Sequence, residues 1–403
     1  MKKIVFAKSR TLFGRRIIYT IICIMGITML VQLRCARKTH LEKGIEYLKR
    51  GEYTKAVQSL TTALTEDSLN PEIHYHLSRV YAYMDSVQQA LHYYIKLDEL
   101  GSTLKDDVHL KEMMANYLKI EPYPSSIIPM AKKHQFRGTF SPNGELIAVA
   151  AAKQDFADIY LIKLDGTIVK RIISGGMNTD PEFSPTGEHL IFVSNRDGDE
   201  ELYLFDMNEL TTEKLTDNTT EDFSPSFSPD GQEIVFLSYR DDGWEIYKMN
   251  LTDKKISRLT RNKYWDGFPK FSPDGEWIIF SSKRDKSEDI YIMTKDGRNE
   301  KVLFAGPSDD NDPLLFNDKL YFKSKQSGEW EIYQMDVHSK FLIRLTYNTH
   351  PDWNPRISTD GSKLLITRKI SGRWRLYFIN LSILVSSELL VTTIRTQYNE
   401  VDP

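Results

Sequence analysis

Cysteine is almost absent from this chain of 403 residues. Cys23 lies inside an apolar N-terminal run, Cys35 follows that run, and no cysteine occurs after it. A disulfide framework and a thiolate metal site are therefore excluded from the rest of the chain. The scarcity of cysteine fits an oxidising compartment, where an unpaired thiol is a liability.

A basic stripe is also missing from most of the sequence. The chain has 53 Lys and Arg against 56 Asp and Glu, but residues 1–50 hold 12 of the basic and 2 of the acidic ones, so the remainder has 41 basic and 54 acidic side chains. Because an acidic surface repels phosphate backbones, we expect no nucleic-acid partner. With 40% hydrophobic and 11% aromatic residues, the composition is that of a folded globular protein.

Only one long apolar run is present, from Ile17 to Leu33, and several Lys and Arg residues precede it. Its length is at the lower limit for spanning a bilayer and is long for a cleaved signal, so both alternatives remain open. We predict a signal or anchor segment at residues 1–36, membrane attachment through residues 17–33, and export of the globular region to the periplasm or the exterior. Cys35 is a weaker candidate for lipidation, because the bulky Arg34 precedes it where lipoprotein signals have small residues.

A helical repeat follows, with a period of 34 residues. Small residues recur at Gly44 and Ser78 and at Ala56 and Ala90, at positions where two helices must approach closely. The pattern resembles the tetratricopeptide repeat, which implies helical hairpins at residues 37–120, with a last helix from Leu104 to Ile120 covering the array. That resemblance implies a peptide-binding groove, but tyrosines at helical spacing more often pack between helices than bind a ligand: Tyr47, Tyr75, Tyr81 and Tyr83.

Residues 121–130 contain three prolines and no period, so we interpret them as a linker. From residue 131 to 395 one phrase returns at steps of about 43 residues: FSPNG at Phe140, FSPTG at Phe183, FSPDG at Phe227 and Phe271, and ISTDG at Ile357. A degenerate copy lies between the last two, at Leu315 to Phe322. Proline, aspartate and glycine in this order are typical of a type I turn that ends in a left-handed residue.

A second phrase, such as IYKM at Ile246, follows each turn after about 19 residues. Each unit therefore contains four short strands, and six such units predict a six-bladed β-propeller. The expected fold class is multidomain α plus all-β: a signal or transmembrane segment, a tetratricopeptide-like array and the propeller. The repeats resemble the TolB-like propellers and those that precede prolyl-oligopeptidase-type hydrolase domains. A hydrolase domain is excluded, because few residues follow the last unit and no Gly-x-Ser-x-Gly motif occurs.

The TolB resemblance implies a non-enzymatic, cell-envelope protein that binds a protein or peptide. The loops opposite the FSPDG turns carry our candidate partner-binding residues: Asp222, Asp266, Asp310, Asp352, Arg196, Arg240, Arg284, Trp265 and Trp353. Aromatic and arginine side chains are common binding anchors. Alternatively, each aspartate caps backbone N–H groups and each arginine pairs with a neighbouring aspartate to hold the loops.

Catalytic residues, a metal site and a small-molecule cofactor are not predicted. Related propellers include metal-dependent polysaccharide lyases, but the propeller histidines occupy non-equivalent positions of different units, for example His189, His338 and His350. No nucleophile and base pair stands out. An enzyme acting on polysaccharide or peptide, and a purely structural envelope spacer, remain the alternatives to an interaction scaffold.

Overall fold

The structure is a computed structural model that describes residues 38–130, 134–153, 156–241, 243–284 and 286–397. The predicted signal or anchor segment, including residues 17–33 and Cys35, lies outside the described residues. The chain divides into two compact units, one formed by Met1–Leu110 with Ile394–Pro403 and the other by Lys111–Thr393. Among the described helices, none combines the length and the apolar character needed to cross a bilayer.

The first unit is a short helical region. Its elements are α1 (His40–Lys49), α2 (Tyr53–Glu66), α3 (Pro71–Tyr83), α4 (Val87–Glu99) and a 3₁₀ turn at Thr103–Asp106. Thr39 begins α1 with a capping box, since its side chain accepts a hydrogen bond from the Glu42 N–H and Glu42 accepts one from the Thr39 N–H. Asn70 caps α3, and Pro71 occupies the first turn, where its missing N–H is harmless. Helix α5 (Val108–Leu118) follows.

The small residues of the 34-residue period lie where helices meet. A Cβ added to Gly44 would approach Leu60 Cγ to 2.6 Å, so glycine permits α1 to pack closely on α2. Ser78, at the equivalent position of the next hairpin, is fully buried and donates to the Ala90 carbonyl over 2.8 Å. Ala56 and Ala90 are also fully buried. The region is therefore helical, and the small residues of the period lie at close contacts between its helices.

The second unit is a propeller in which six four-stranded antiparallel sheets are found within the described residues. Blades 1 to 3 are β2–β5 (His134–Phe140, Ile147–Lys153, Phe156–Ile162, Ile168–Ile173), β6–β9 (Asn178–Phe183, His189–Ser194, Glu201–Asp206, Thr212–Lys214) and β10–β13 (Asp222–Phe227, Glu233–Ser238, Glu245–Asn250, Ile256–Arg258). Blades 4 and 5 are β14–β17 (Asp266–Phe271, Trp277–Ser282, Asp289–Thr294, Lys301–Phe304) and β18–β21 (Asp310–Phe316, Lys319–Ser324, Glu331–Asp336, Leu342–Arg344). Blade 6 contains β22–β24 (Asp352–Ile357, Lys363–Ile370, Arg373–Asn380), and a helix α6 (Ser387–Gln397) follows.

Blade 6 is completed by a strand from before the propeller. Strand β1 (Ser125–Ile127) pairs with β24, with Ser126 opposite Phe378, and the Ile128 N–H donates to the Leu376 carbonyl over 2.8 Å. The segment that we interpreted as a linker therefore supplies the outermost strand of blade 6. Its short length and its prolines conceal the strand, because three residues give no readable alternation.

The recurring turns have the predicted conformation. Gly231 has a φ of 72°, and its N–H donates to the Ser228 carbonyl over 2.9 Å, which closes the turn between β10 and β11. In the degenerate fifth unit, Asn317 and Asp318 form a two-residue hairpin with φ values of 45° and 60°. The core lies between adjacent sheets, where fully buried phenylalanines recur in the second strands: Phe192, Phe236, Phe280 and Phe322.

Candidate functional site

One face of the propeller collects the loops that enter each first strand and the loops between strands two and three. We call this the loop face. All nine predicted partner-binding residues lie in these loops or at the strand ends beside them. The FSPDG turns lie at the opposite end of the sheets, as the antiparallel strand order requires.

The four predicted aspartates are the first residues of β10, β14, β18 and β22, and all four are fully buried. The loop that leads into each strand holds them. Asn218, Asn262 and Asn348 donate side-chain hydrogen bonds of 2.7 to 2.9 Å to the aspartate four residues later, and Asp310 accepts the Gly306 N–H over 3.0 Å. Of the two roles that the sequence left open for these carboxylates, this geometry favours the structural one.

The predicted arginines Arg240 and Arg284 pair with the aspartate of their own blade, and Arg196 binds an asparagine at the equivalent position. Arg240 Nη2 lies 2.9 Å from Asp222 Oδ2, Arg284 Nη2 lies 3.6 Å from Asp266 Oδ1, and Arg196 donates to the equivalent Asn178 over 2.9 Å. In blade 6, Arg368 makes two hydrogen bonds of 2.7 and 2.9 Å to Asp352. Such pairs join the first strand of a blade to the end of the second.

Aromatic rings complete the arrangement, which we call the blade clasp: the first-strand Asp or Asn, the arginine, and the tyrosine of the third strand. The Arg240 guanidinium lies 5.0 Å from the Tyr247 ring centroid, and Arg284 lies 4.4 Å from that of Tyr291. Stacking on the ring covers one face of the guanidinium while the carboxylate binds its edge. The tyrosine of the second sequence phrase therefore has a structural role that the sequence analysis missed.

Blade 5 lacks the arginine of the clasp. Gln326 follows β19 where blades 2 to 4 have arginine, and Asp310 Oδ1 is buried without a hydrogen-bond partner among the described residues. Burial, together with the charges of Asp289 and Asp309, raises the pKa of Asp310 to about 7, against hydrogen bonds from Ser324 and Gly306 that lower it. Asp310 is therefore the clasp carboxylate closest to protonation at neutral pH.

Asp310→Asn should stabilise the propeller at pH 8 by about 1 to 3 kcal/mol and have little effect at pH 5. The pKa of Asp310 in the folded state lies above the unfolded value near 3.9. The stability that its protonated form contributes is therefore fully present below pH 4 and is lost as the pH rises through 7. Denaturant unfolding at both pH values measures the difference. The matched control, Asp222→Asn, should destabilise the protein at both, because it weakens the pair with Arg240; equal effects of Asp310→Asn at pH 5 and pH 8 would contradict the prediction.

A bulge in each first strand points a side chain toward the axis of the ring. In the first strands of blades 2 to 6, the third residue has a positive φ of 49° to 54°. In β2, the first strand of blade 1, the fourth residue has a φ of 51° instead. These six residues lie beside the register shifts between strands one and two: Arg137, Asp180, Ser224, Phe268, Asp312 and Asn354. Such φ values are uncommon for residues other than glycine, so the backbone is strained here in every blade.

Ion pairs between blades fill the axial channel. Arg137 of blade 1 pairs with Asp180 of blade 2, and Arg356 of blade 6 lies 3.1 Å from Asp312 of blade 5. Glu182 of blade 2 also pairs with Lys270 of blade 4 and accepts the Phe227 N–H of blade 3 over 2.9 Å. The channel is therefore crossed by ion pairs between blades, and the pair of Glu182 with Lys270 joins two blades that are not adjacent.

Cations dominate the electrostatics at one side of this channel. Burial alone would raise the pKa of Asp312, but the charges of Arg356, Lys323, Arg137 and Lys270 together lower it. Burial lowers the pKa of the Lys323 amine to about 8, against the opposing effect of Asp312. Asp312 is thus held as a carboxylate at the centre of a positively charged group.

Tryptophan is concentrated on the loop face. Five of the six tryptophans of the protein, all of which are described, lie there: Trp244, Trp265, Trp330, Trp353 and Trp374. Each is half-buried, and the sixth, Trp277, begins β15 at the opposite end of its sheet. Phe223 and Tyr239 extend the set around Trp244, with ring centroids 5.9 and 5.2 Å away. The aromatic side chains come from blades 3 to 6.

The largest aromatic group surrounds a lysine. Trp353 packs edge-on against Trp330 and Trp374, with centroids 6.0 and 5.3 Å apart. Lys323 Nζ lies 3.7 Å from the Trp353 centroid, 4.7 Å from that of Trp330 and 5.4 Å from that of Phe268. The amine therefore joins the aromatic group to the charged channel, where Asp312 lies.

The sequence analysis found Trp265 and Trp353 but missed the other three tryptophans of this face. A signal for them was present, because Trp244, Trp330 and Trp374 each stand two residues before the second phrase of their blade. The bulged residues of the channel gave a weaker signal in the sequence. Most of them precede a proline and have a positive φ, but they are of different residue types, so the type does not predict the conformation. Within the described ranges, no group of three or more His, Cys, Asp or Glu side chains is placed to hold a metal ion.

Comparison with known proteins assigns the fold to a family. The family model described as the TolB beta propeller domain matches residues 140–268 and 260–401, which is more than half of the chain. The chain belongs to the TolB β-propeller family. A TolB homolog of Chlorobium luteolum is 36% identical over 66 residues, which cover 16% of this chain and 15% of that protein. The chain thus matches only a small part of this curated relative.

Solved TolB propellers share the fold. TolB from Acinetobacter baumannii has a TM-score of 0.50 at 20% identity, and the alignment covers 69% of this chain and 70% of that one. An oligogalacturonate lyase from Vibrio parahaemolyticus has a TM-score of 0.48 at 11% identity, covering 64% of this chain and 93% of that one. At this identity, the similarity to the lyase does not bear on the activity of this TolB family member.

Proposed function

We propose that this chain is a non-enzymatic interaction protein of the cell envelope, whose propeller binds a protein or peptide partner on the loop face. The observation that carries the proposal is the concentration of five half-buried tryptophans there. Tryptophan is enriched among residues that dominate binding energy, because its large ring contributes much contact area with little side-chain entropy to lose. The partner contacts the aromatic rings, while the buried aspartates act indirectly by holding the loops.

The channel mouth gives the face its polarity. The ion pair of Arg137 with Asp180 lies in blades 1 and 2, whereas the aromatic rings lie in blades 3 to 6, where Lys323 joins them to the charged channel. A bound segment therefore places apolar side chains over blades 3 to 6 and polar groups toward blades 1 and 2. Complementary charges at such a mouth contribute to specificity more than to affinity.

A binding role is better supported than catalysis. Asp222, Asp312 and Asp352 are engaged in clasps and channel pairs, so they are poor candidates for a general acid or base. His189 begins β7 beside the FSPTG turn, whereas His350 lies in the loop before β22 on the loop face, so the two histidines lie at opposite ends of their sheets.

The rest of the chain supports an envelope location. Residues 17–33, with basic residues before them, act as a membrane anchor that places the globular region outside the cytoplasm. The helical hairpins form a short tetratricopeptide-like array, which adds a second surface for partners. An anchored propeller with its own helical module is suited to collecting partners at a membrane surface.

The double variant Trp330→Ala, Trp353→Ala should reduce recovery of the partner from the organism's envelope extract at least tenfold, about 1.4 kcal/mol or more. The full chain serves as bait, and cross-linking with mass spectrometry locates the contact. Trp277→Ala, on the opposite end of the blades, is the matched control and should change recovery less than twofold. Cross-links that map to the FSPDG turns, or equal losses in both variants, would refute binding on the loop face.

A further inference from the structure

A cavity of about 700 Å³ opens on the helical unit, between the loop that joins α2 to α3 and the outer side of α4. Its walls are mostly apolar and include Leu64, Leu69, Tyr93 and Leu100. Leu69 is 72% exposed, so the cavity leaves a large apolar side chain in contact with water. Small-molecule sites are commonly apolar clefts of about 300 to 1,000 Å³, so this cavity has the size and the walls of one.

His74 of α3 lines the cavity and has a buried nitrogen without a partner. The residue is 5% exposed, and its Nε2 lies 2.8 Å from the Ser68 carbonyl oxygen. A carbonyl oxygen can only accept, so Nε2 carries the proton, and Nδ1 of the neutral imidazole is an acceptor. Within the described part of the chain, no group donates to Nδ1. Buried acceptors are normally satisfied, so a donor is missing here.

The residue type at position 74 explains why the cavity is open. In the tetratricopeptide pattern that the sequence resembles, tryptophan stands four residues before the small residue of the first helix. This chain has His74 before Ser78 and His40 before Gly44. Imidazole is smaller than indole and leaves space beside it. His40 Nδ1 has a partner in Glu66 Oε1 at 2.7 Å, so of these two histidines only His74 has an unsatisfied nitrogen.

The wall beside His74 is held in place by aromatic contacts. The Tyr93 ring lies 5.8 Å from the His74 ring and stacks on Tyr81 at 5.7 Å, measured between centroids. A wall that is formed before binding lowers the entropic cost of binding. Lys96 and Glu99 also line the cavity, and Lys96 Nζ lies 2.8 Å from Glu99 Oε2. Because these charges compensate each other, the cavity favours a neutral ligand.

The cavity is separate from the peptide groove that the repeat resemblance implies. The four tyrosines considered for that groove lie on α1 and α3, and none of them lines the cavity. Most of the lining comes from α4 instead. A ligand in the cavity would therefore not occupy the groove.

We propose that this cavity binds a neutral, largely apolar small molecule whose hydroxyl or N–H group donates to His74 Nδ1. The apolar body covers Leu69 and Tyr93, and its removal from water supplies most of the affinity. The single hydrogen bond selects ligands that carry a donor, because only these satisfy the buried nitrogen. This site lies in the helical unit and does not depend on the function proposed for the loop face.

Two probes that differ in the donor test the assignment. 4-Phenylphenol carries a hydroxyl group, whereas 4-methoxybiphenyl has the same two rings and no donor. Equilibrium dialysis against the full chain at pH 8 gives both dissociation constants, and the wild-type chain should bind the phenol about fivefold more tightly. In His74→Phe this ratio should fall below twofold, because the acceptor is gone. No saturable binding of either probe, or a ratio near one in the wild-type chain, would overturn the proposal.

His76→Phe is the matched control. His76 Nδ1 is likewise buried without a hydrogen-bond partner among the described residues, but His76 does not line the cavity. The ratio of the two dissociation constants should therefore stay within twofold of the wild-type value. An equal fall of the ratio in His74→Phe and His76→Phe would contradict the role of the His74 nitrogen.

A fold defect in His74→Phe would show as a loss of helical circular dichroism. In that case Gln89→Trp gives the answer, because Gln89 is exposed and lines the cavity, so the added indole ring blocks the cavity without replacing a buried side chain. We expect both probes to bind at least fivefold more weakly than to the wild-type chain. Unchanged binding of both probes to Gln89→Trp would overturn the assignment of the cavity as their site.

Discussion

Asp222→Ala should lower the free energy of unfolding of the propeller by about 3 to 5 kcal/mol, because it leaves Arg240 without its carboxylate in the blade clasp. Arg240 is held under Tyr247 and cannot move freely into water. The side-chain amide of Asn218 also loses its acceptor. All six tryptophans lie between residues 244 and 374, so denaturant unfolding followed by tryptophan fluorescence reports on this unit.

A double-mutant cycle separates the pair from its surroundings. Asp222→Ala combined with Arg240→Ala should cost less than the sum of the single variants, since no unpaired charge remains. Asp253→Ala, at an exposed turn of the same blade, should cost less than about 1 kcal/mol. If the losses in free energy of unfolding were additive, the two side chains would not interact, and the blade clasp would not be a stabilising unit.

Ser126→Pro should destabilise the ring by about 3 kcal/mol, because proline removes a backbone donor from the strand that completes blade 6. Ser126 is exposed, so the loss of its side chain contributes little. Amide hydrogen exchange in β24 should rise at the same time, since the edge of that strand becomes unpaired. Both effects follow from opening one seam of the propeller.

Ser126→Ala is the control for this change and should alter stability by less than about 0.5 kcal/mol. If Ser126→Pro also changed the stability by less than about 0.5 kcal/mol, the pairing of β1 with β24 would not contribute to the stability of the propeller. Faster exchange confined to other blades would have the same meaning.

The blade number could be predicted from sequence because the turn phrase has a strong local cause. Proline fixes one φ, and glycine permits another, so the same five letters give the same hairpin in each unit. The fifth blade was predicted from spacing alone, because its turn lacks the glycine of the other units. Asn317 and Asp318 form that turn instead, since asparagine and aspartate tolerate a positive φ. Strand β1 could not be predicted, since its partner strand is far away and nothing in SSI specifies it.

The loop face was predicted only in part. The Asp and Arg pattern placed these residues on one face, as the structure does, but sequence cannot show whether a charged side chain points to solvent or is buried under a neighbour. Asp266 and Arg284 are close in space because β14 and β15 are hydrogen-bonded, which depends on register. The channel pairs, such as that of Glu182 with Lys270, join residues 88 positions apart across the ring and leave no trace in a repeat.

The identity of the strand that completes blade 6 has a consequence for biosynthesis. Strand β1 is made early, yet its partner residues, from Tyr377 to Ile379, are among the last of the propeller to be made. Each blade can form its own hairpins during synthesis, but the circle cannot close until almost the entire chain has emerged. Until then both β1 and the growing edge are unpaired, and unpaired edges favour aggregation. A protein built this way benefits from a holding chaperone until the ring closes.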